Sequence, residues 1–152
     1  MPTNAIDDTT LVELVHRLAD AVIVADAAGT IVYWNAAAER VFGWPAETAV
    51  GQTLDLIVPE RQRARHWEGY ERVMATGITK YGDDLLRVPS LHADGERRSI
   101  AFTVSLLTDA AGAITGIAAV IRDETDRWRD EQELRRQLAE AQAANSSAGE
   151  GG

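Results

Sequence analysis

The chain has 152 residues, a formal net charge of −9, 45% hydrophobic and 26% charged residues, three histidines and no cysteine. That length makes one domain plus tails and hides roughly two thirds of its surface, so folding requires no disulfide or structural metal. The acidic balance argues against nucleic acid as the main partner, no apolar run approaches the ~20 residues of a membrane span, and the lack of cysteine removes cysteine-adduct photochemistry and thioester-linked chromophores.

The start, Met1-Pro2-Thr3-Asn4, has neither the basic residues nor the apolar centre of a signal peptide. With no cysteine, a reducing, cytoplasmic location is expected. Asp7, Asp8 and Thr9 offer helix caps before Leu11, Val12, Leu14, Val15 and Leu18, which predicts a short amphipathic helix. Ala21 to Ala25 and Thr30 to Trp34 read as two strands joined by the Asp26-Ala27-Ala28-Gly29 turn. Asn35 to Phe42 returns to helical spacing and stops at Gly43; Pro45 opens another short helix that Gly51 closes.

Pro59 suits a first helical position, and Gly77 suits a stop after Thr76. On this helix Trp67, Tyr70 and Met74 share one face, and His66, Tyr70 and Val73 an overlapping one. The arginines at 61, 63 and 65 read as a solvated face. Three more strands are predicted, Gly82 to Leu91, Arg97 to Leu107 and Ile114 to Asp123, with turns at Asp94-Gly95 and Asp109-Ala110-Ala111-Gly112. Asp126 to Ala144 is helical, and the tail from Asn145 has the composition of disorder. All strand connections but one are hairpins, so the expected fold class is α+β: a five-stranded antiparallel sheet with helices on one face and a flanking helix at each end.

This order of elements resembles a PAS domain. The residues that carry the resemblance are Ala21 to Gly29, Ile31 to Ala38, Phe42-Gly43-Trp44, Val50-Gly51-Gln52, Asp94-Gly95 and Ile121 to Thr125. The implied division is a tail over 1–8, a flanking helix over 9–19, a PAS core over 20–124, a signalling and dimerisation helix over 125–144 and a disordered tail over 145–152. PAS domains sense small molecules, light or redox state, or act as dimerisation modules, and fold alone does not choose among these.

A narrower resemblance is to the haem-binding PAS domains of FixL-type oxygen sensors. Pro59-Glu60, Arg63, His66 and Met74-Ala75-Thr76-Gly77 align with that group without a gap. The resemblance makes His66 the axial ligand of a haem b iron. It surrounds the macrocycle with Gly69, Tyr70, Val73 and Tyr81, and brings Arg72 and Lys80 to its propionates. A glycine inside a helix costs about 1 kcal/mol relative to alanine. Gly69 therefore has a reason to be there: close approach of a flat macrocycle, or tight helix–sheet packing. The distal side departs from the group. Leu86 stands where FixL-type domains carry an arginine, and Arg87, one residue along a strand, faces the opposite way. With Phe102 and Val104 this implies an apolar distal pocket, open to carbon monoxide, nitric oxide or redox sensing as well as oxygen.

The competing reading of His66 is a packed histidine, in a cofactor-free interaction module or one holding another organic ligand such as a noncovalent flavin. His16 and His92 read as surface residues, and Trp34, Trp44, Trp67 and Trp128 as core or interface. No Gly-rich phosphate loop or Gly-x-Ser-x-Gly elbow points to an enzyme. Asp83 and Asp84, adjacent on a strand, point apart and make a poor acid–base pair. Trp128, Leu134, Leu138 and Ala141 form an apolar stripe suited to homodimerisation, joined by the N-terminal helix. The sequence thus predicts a haem-binding sensor of a diatomic gas or redox state, dimeric, acting through its C-terminal helix on an unidentified downstream protein.

Overall fold

The computed structural model describes residues 5–79 and 84–150. Lys80, Tyr81, Asp83 and the strand start expected at Gly82 lie outside the described residues. In chain order the elements are α1 (Asp8–Arg17), β1 (Ala21–Asp26), β2 (Ile31–Trp34), α2 (Ala36–Phe42), α3 (Ala46–Ala49), a 3₁₀ turn (Leu54–Leu56), α4 (Glu60–Thr76), β3 (Leu86–Leu91), β4 (Arg97–Thr108), β5 (Ile114–Asp123) and α5 (Thr125–Glu150). The strands form one antiparallel sheet in the order β2-β1-β5-β4-β3. This is the α+β architecture that the sequence predicts, with the helical crossover between β2 and β3.

Pairing fixes which side chains share a face. Ile23 stands opposite Trp34 and Ala119, Ala21 opposite Ile121, Phe102 opposite Ile121 and Leu86. These residues line the inner face, where Ala37, Ala38, Phe42, Ala49 and Ile57 complete the core. Small side chains at 21, 37, 38 and 49 let α2 and α3 approach one end of the sheet closely, and all four are fully buried.

Polar groups at that end are held by Asn35, which is 0% exposed. Its Oδ1 accepts from the Val22 and Ala38 amides at 2.9 and 3.0 Å, and its Nδ2 donates to the carbonyls of Val15 and Asp20 at 2.9 and 3.1 Å. One amide therefore caps α2, starts β1 and ties down the exit of α1.

Two boundaries differ from the sequence reading. Strand β3 begins at Leu86 rather than Gly82. The tail expected to be disordered from Asn145 continues α5 as helix to Glu150. No proline or left-handed glycine interrupts residues 145–148, and Asn and Ser cost only tenths of a kcal/mol in a helix. Every residue of α5 from 126 to 149 is exposed.

Replacing Asn35 by alanine leaves two amides and two carbonyls unpaired in the interior. Urea unfolding of Asn35→Ala is expected to show a loss of about 3 kcal/mol or more.

Candidate functional site

The buried arc of α4 is set by its 3.6-residue period: Arg63, His66, Trp67, Gly69, Tyr70, Val73 and Met74 are buried or half-buried, whereas Arg61, Arg65, Glu68, Glu71 and Arg72 are exposed. Arg63 departs from the solvated-face reading. Its guanidinium donates to the carbonyls of Val58 and Asp55 at 3.1 and 3.2 Å, which folds the loop before the helix back onto its first turn.

The helix is anchored by its aromatic residues. Trp67 donates from Nε1 to the Asp55 carboxylate at 2.7 Å, and its ring lies over Gly29 in the β1–β2 turn, where a methyl group would collide with it. Tyr70 donates its hydroxyl to the carbonyl of Asp26, and burial with the nearby Asp26 charge pushes its pKa up to about 12. Gly77 ends the helix with φ +70° beside the Ile114 side chain. Between these anchors α4 has no backbone approach to any strand comparable to that of α2 on β1.

His66 lies within this aromatic group. Its ring meets Trp67 edge-on at a centroid distance of 4.8 Å and is tilted against Tyr70 at 5.9 Å. Nδ1 is buried without a hydrogen-bond partner. Burial lowers the imidazole pKa, and the attraction of Asp55 only partly opposes this, so the ring is held neutral. A neutral imidazole is the form that ligates a metal.

The sheet residues named from the sequence gather on the inner face. Leu86 is directly opposite Phe102, and Val104 follows two residues along. All three are half-buried, as are Leu106, Ile117 and Ala119, whereas Ile100, Ile121, Ala21 and Ile23 at the other end are fully buried. The inner face is sealed at one end and partly open to solvent at the other. Arg87 pairs with Ala101 on the outer face and its guanidinium binds Glu124 at 3.1 Å, so strand parity takes it out of the inner space. Open space flanks Gly69: a methyl group there would meet nothing within 4 Å. Tight helix–sheet packing therefore does not explain this glycine. Arg72 is exposed and bonded to Glu68 at 3.1 Å.

His92 is not the surface residue expected; its ring is packed against Gly43, and Nδ1 accepts from the Asp94 amide at 3.1 Å. The sequence reading also missed Asp26, Gly29 and Asp55 as supports of α4. The Asp-x-x-Gly turn was visible, but nothing in its spacing reveals that a tryptophan 38 positions later rests on it.

Among the described residues no group of three or more His, Asp or Glu is placed to hold a metal ion. A single imidazole serving one axial position of a preformed macrocycle requires no such group. The residues present fit a flat apolar cofactor by three observations: the unpartnered buried Nδ1 of His66, the vacant flank of Gly69 and the apolar, half-covered patch of Leu86, Phe102 and Val104.

The junction between the sheet and α5 is equally specific. The Glu124 amide donates to the Ser99 carbonyl at 2.8 Å, and the Thr125 hydroxyl accepts from the Ser99 amide at 3.0 Å. Asp123 accepts from the Thr125 amide at 2.8 Å. Thr125, 6% exposed, thus stitches the first residue of α5 to β4.

Residues 9–123 match the family model of the PAS fold. An uncharacterized protein of Azorhizobium caulinodans is 38% identical over 118 residues, which cover 77% of this chain and 16% of that protein. Sensor protein FixL of Bradyrhizobium diazoefficiens is 42% identical over 59 residues, covering 39% of this chain and 12% of that protein. The chain thus spans less than a fifth of either relative. Among solved structures, the PAS domain of a Colwellia psychrerythraea protein superposes with a TM-score of 0.68 at 20% identity, covering 78% of this chain and 97% of that one.

The depressed His66 pKa fixes a sign. Below the unfolded-state value near 6.5 the unfolded chain binds a proton that the folded cofactor-free chain resists, so stability falls as pH drops from about 6.5 through the lowered folded pKa. In denaturant unfolding of the cofactor-free protein at pH 7.5 and 5.5, His66→Asn is expected to lose less stability than the parent. An equal loss in both would show that His66 titrates freely.

Proposed function

The chain belongs to the PAS family, and from that premise we propose that it is a cytoplasmic sensor module that holds haem b through His66 and passes a change at the iron to α5. The observation that carries this reading is the neutral imidazole on the buried arc of α4, with no partner for Nδ1 and a partly open apolar face on the sheet. The resemblance to FixL-type domains around His66 supports the same assignment, as does the partial likeness to a sensor protein.

Haem would supply an iron centre whose coordination or charge responds to a diatomic gas or to redox state. The chain's own residues do the rest. His66 donates the nitrogen, and Trp67 and Tyr70 restrict its ring. Gly69 leaves room on the flank, while Leu86, Phe102 and Val104 offer an apolar surface on the opposite side. Arg87 is engaged by Glu124 on the outer face, so it offers no hydrogen bond to a ligand inside. A distal pocket without such a donor suits carbon monoxide, nitric oxide or redox sensing as well as oxygen. Displacement of α4 would reach Asp26 of β1 through Tyr70, then β5 through the strand pairing, then α5 through Thr125. The coupling requires that the two states bind the ligand with different affinity.

The output is a homodimer. Trp128, Leu134 and Leu138 on α5 are 50%, 63% and 59% exposed, and Val12 and Leu14 of α1 are exposed as well. Two helices with uncovered apolar positions gain most by pairing with a second copy. In sedimentation, Leu134→Glu with Leu138→Glu is expected to shift the protein from dimer to monomer; a parent that sediments as a monomer overturns the dimer.

The cofactor is tested by titrating haem into the purified chain and recording its absorption. A Soret band is expected in the parent and is lost or strongly shifted in His66→Ala, with circular dichroism verifying the variant's fold. An unchanged band in His66→Ala removes His66 from the site. A colourless protein that takes up no haem supports a cofactor-free module, and a yellow one with a flavin spectrum supports noncovalent flavin.

A further inference from the structure

A cleft of about 510 Å³ opens on the outer side of the sheet, between the β3–β4 edge and the first two turns of α5. It is remote from His66 and plays no part in the proposed haem site. Its basic groups come from both sides: Arg87 and Arg97 from the sheet, Arg127 and Arg129 from the helix. Arg98 also borders it but is engaged by Asp94 at 3.2 Å. Four arginines then face two glutamates, Glu124 and Glu131, a positive balance on a chain whose net charge is −9.

Glu124 shows how the cleft handles negative charge. One of its oxygens lies 3.1 Å from Arg87 on the sheet and the other 3.5 Å from Arg127 on the helix. A carboxylate already bridges the two walls. Arg97 and Arg129 form no ion pair among the described residues, although both are exposed and border the same space. Two guanidiniums without a carboxylate partner, one from the sheet and one from the helix, are available to an added anion. The rest of the wall is Ser99, Thr125 and an apolar strip of Val88, Pro89 and the half-exposed ring of Trp128.

We propose that this cleft binds a small phosphate-bearing molecule with a flat ring, of the nucleotide class, the phosphates between Arg97 and Arg129 and the ring on Trp128. The volume lies within the range of small-molecule sites. An acidic peptide added as a sixth strand is less favoured, because β3 is the edge strand and Pro89 removes a backbone donor from it. The bound anion clamps the root of α5 to the sheet at the seam made by Thr125 and Ser99. It is thus a second input that stiffens the connection through which any sensor signal must leave.

The test is thermal unfolding and Trp fluorescence of the full chain with ATP, adenosine, inorganic tripolyphosphate or poly-glutamate. ATP is expected to raise the melting midpoint by about 2–4 °C at concentrations well above its Kd, and more than tripolyphosphate does. Adenosine gives no shift. ATP also quenches fluorescence, and the quench is absent in Trp128→Leu. The double variant Arg97→Gln/Arg129→Gln melts like the parent without ligand, because neither arginine has a partner to lose, and binds ATP about tenfold more weakly or worse. Absence of an ATP effect, an equal effect in the double variant, a tripolyphosphate effect as large as that of ATP, or a response to poly-glutamate alone overturns the proposal.

Discussion

The side-chain amide of Asn35 is the constraint on which the rest of the molecule depends. A buried amide is costly unless satisfied, and here both of its ends are used in full. The partners come from α1, from the turn before β1, from β1 itself and from α2. Any shift of β1 by one residue would break the bonds at once and would also turn Ile23 out of the core. The interaction therefore fixes register as much as it adds stability. With β1 fixed, its pairing with β5 and the position of α2 over the inner face follow. Trp34, next in sequence, donates its indole N–H to the Trp44 carbonyl at 3.0 Å and so anchors the chain between α2 and α3 as well.

The interior is asymmetric for a physical reason. At the Asn35 end, alanines at 21, 37, 38 and 49 allow helices to settle directly on the strands. At the other end the helix is spaced by aromatic rings. Trp67 and Tyr70 reach the β1–β2 turn and hold α4 by its side chains rather than by backbone proximity. Large side chains that bond at their tips act as struts, and space remains alongside them. His66 sits in that space, shielded enough to stay neutral, without the hydrogen bond that most buried imidazoles acquire. The same asymmetry divides the sheet: Ile100 and Ile121 belong to the filled half, Leu86 and Val104 to the open one.

Most of the architecture was legible in the sequence, because local chemistry carried it. Asp94-Gly95 and the two Asp-Ala-Ala-Gly turns marked the hairpins, Asn35 and Gly43 bounded α2, and Pro59 and Gly77 bounded α4. Alternation predicted that Arg87 would leave the inner face when Leu86 stayed on it. The helical face of His66, Tyr70 and Val73 was legible from spacing alone. What spacing does not encode is contact between distant segments. The rest of Trp67 on Gly29, the bond of Tyr70 to Asp26 and the seam of Thr125 with Ser99 join residues far apart in the chain. The role of Asn35, read only as the start of helical spacing, was hidden for the same reason. The helix beyond Ala144 was misread because composition was weighed above the absence of a stop signal.

The last helix explains how a small rearrangement at one end of the domain can matter at the other. Its 26 residues extend about 39 Å, yet among the described side chains only that of its first residue is buried. Ion pairs such as those of Arg136 with Glu133 and Glu140 lie in solvent, are screened by it, and contribute little. An isolated helix in water is marginal, so tertiary or quaternary contact must supply most of its stability. Among the described residues the fixed contact of α5 is at its root, where Thr125, Glu124 and Arg127 meet β4 and β3. A lever held at one end responds to any change in the angle of that attachment. A rotation of a few degrees at Thr125 moves the far turns by several ångströms while disturbing little of the core, and whether Trp128, Leu134 and Leu138 align with a covering surface then depends on the seam. The weakness of the helix on its own means that a covered and an uncovered arrangement of it differ little in free energy, which is the condition for a ligand to bias one over the other.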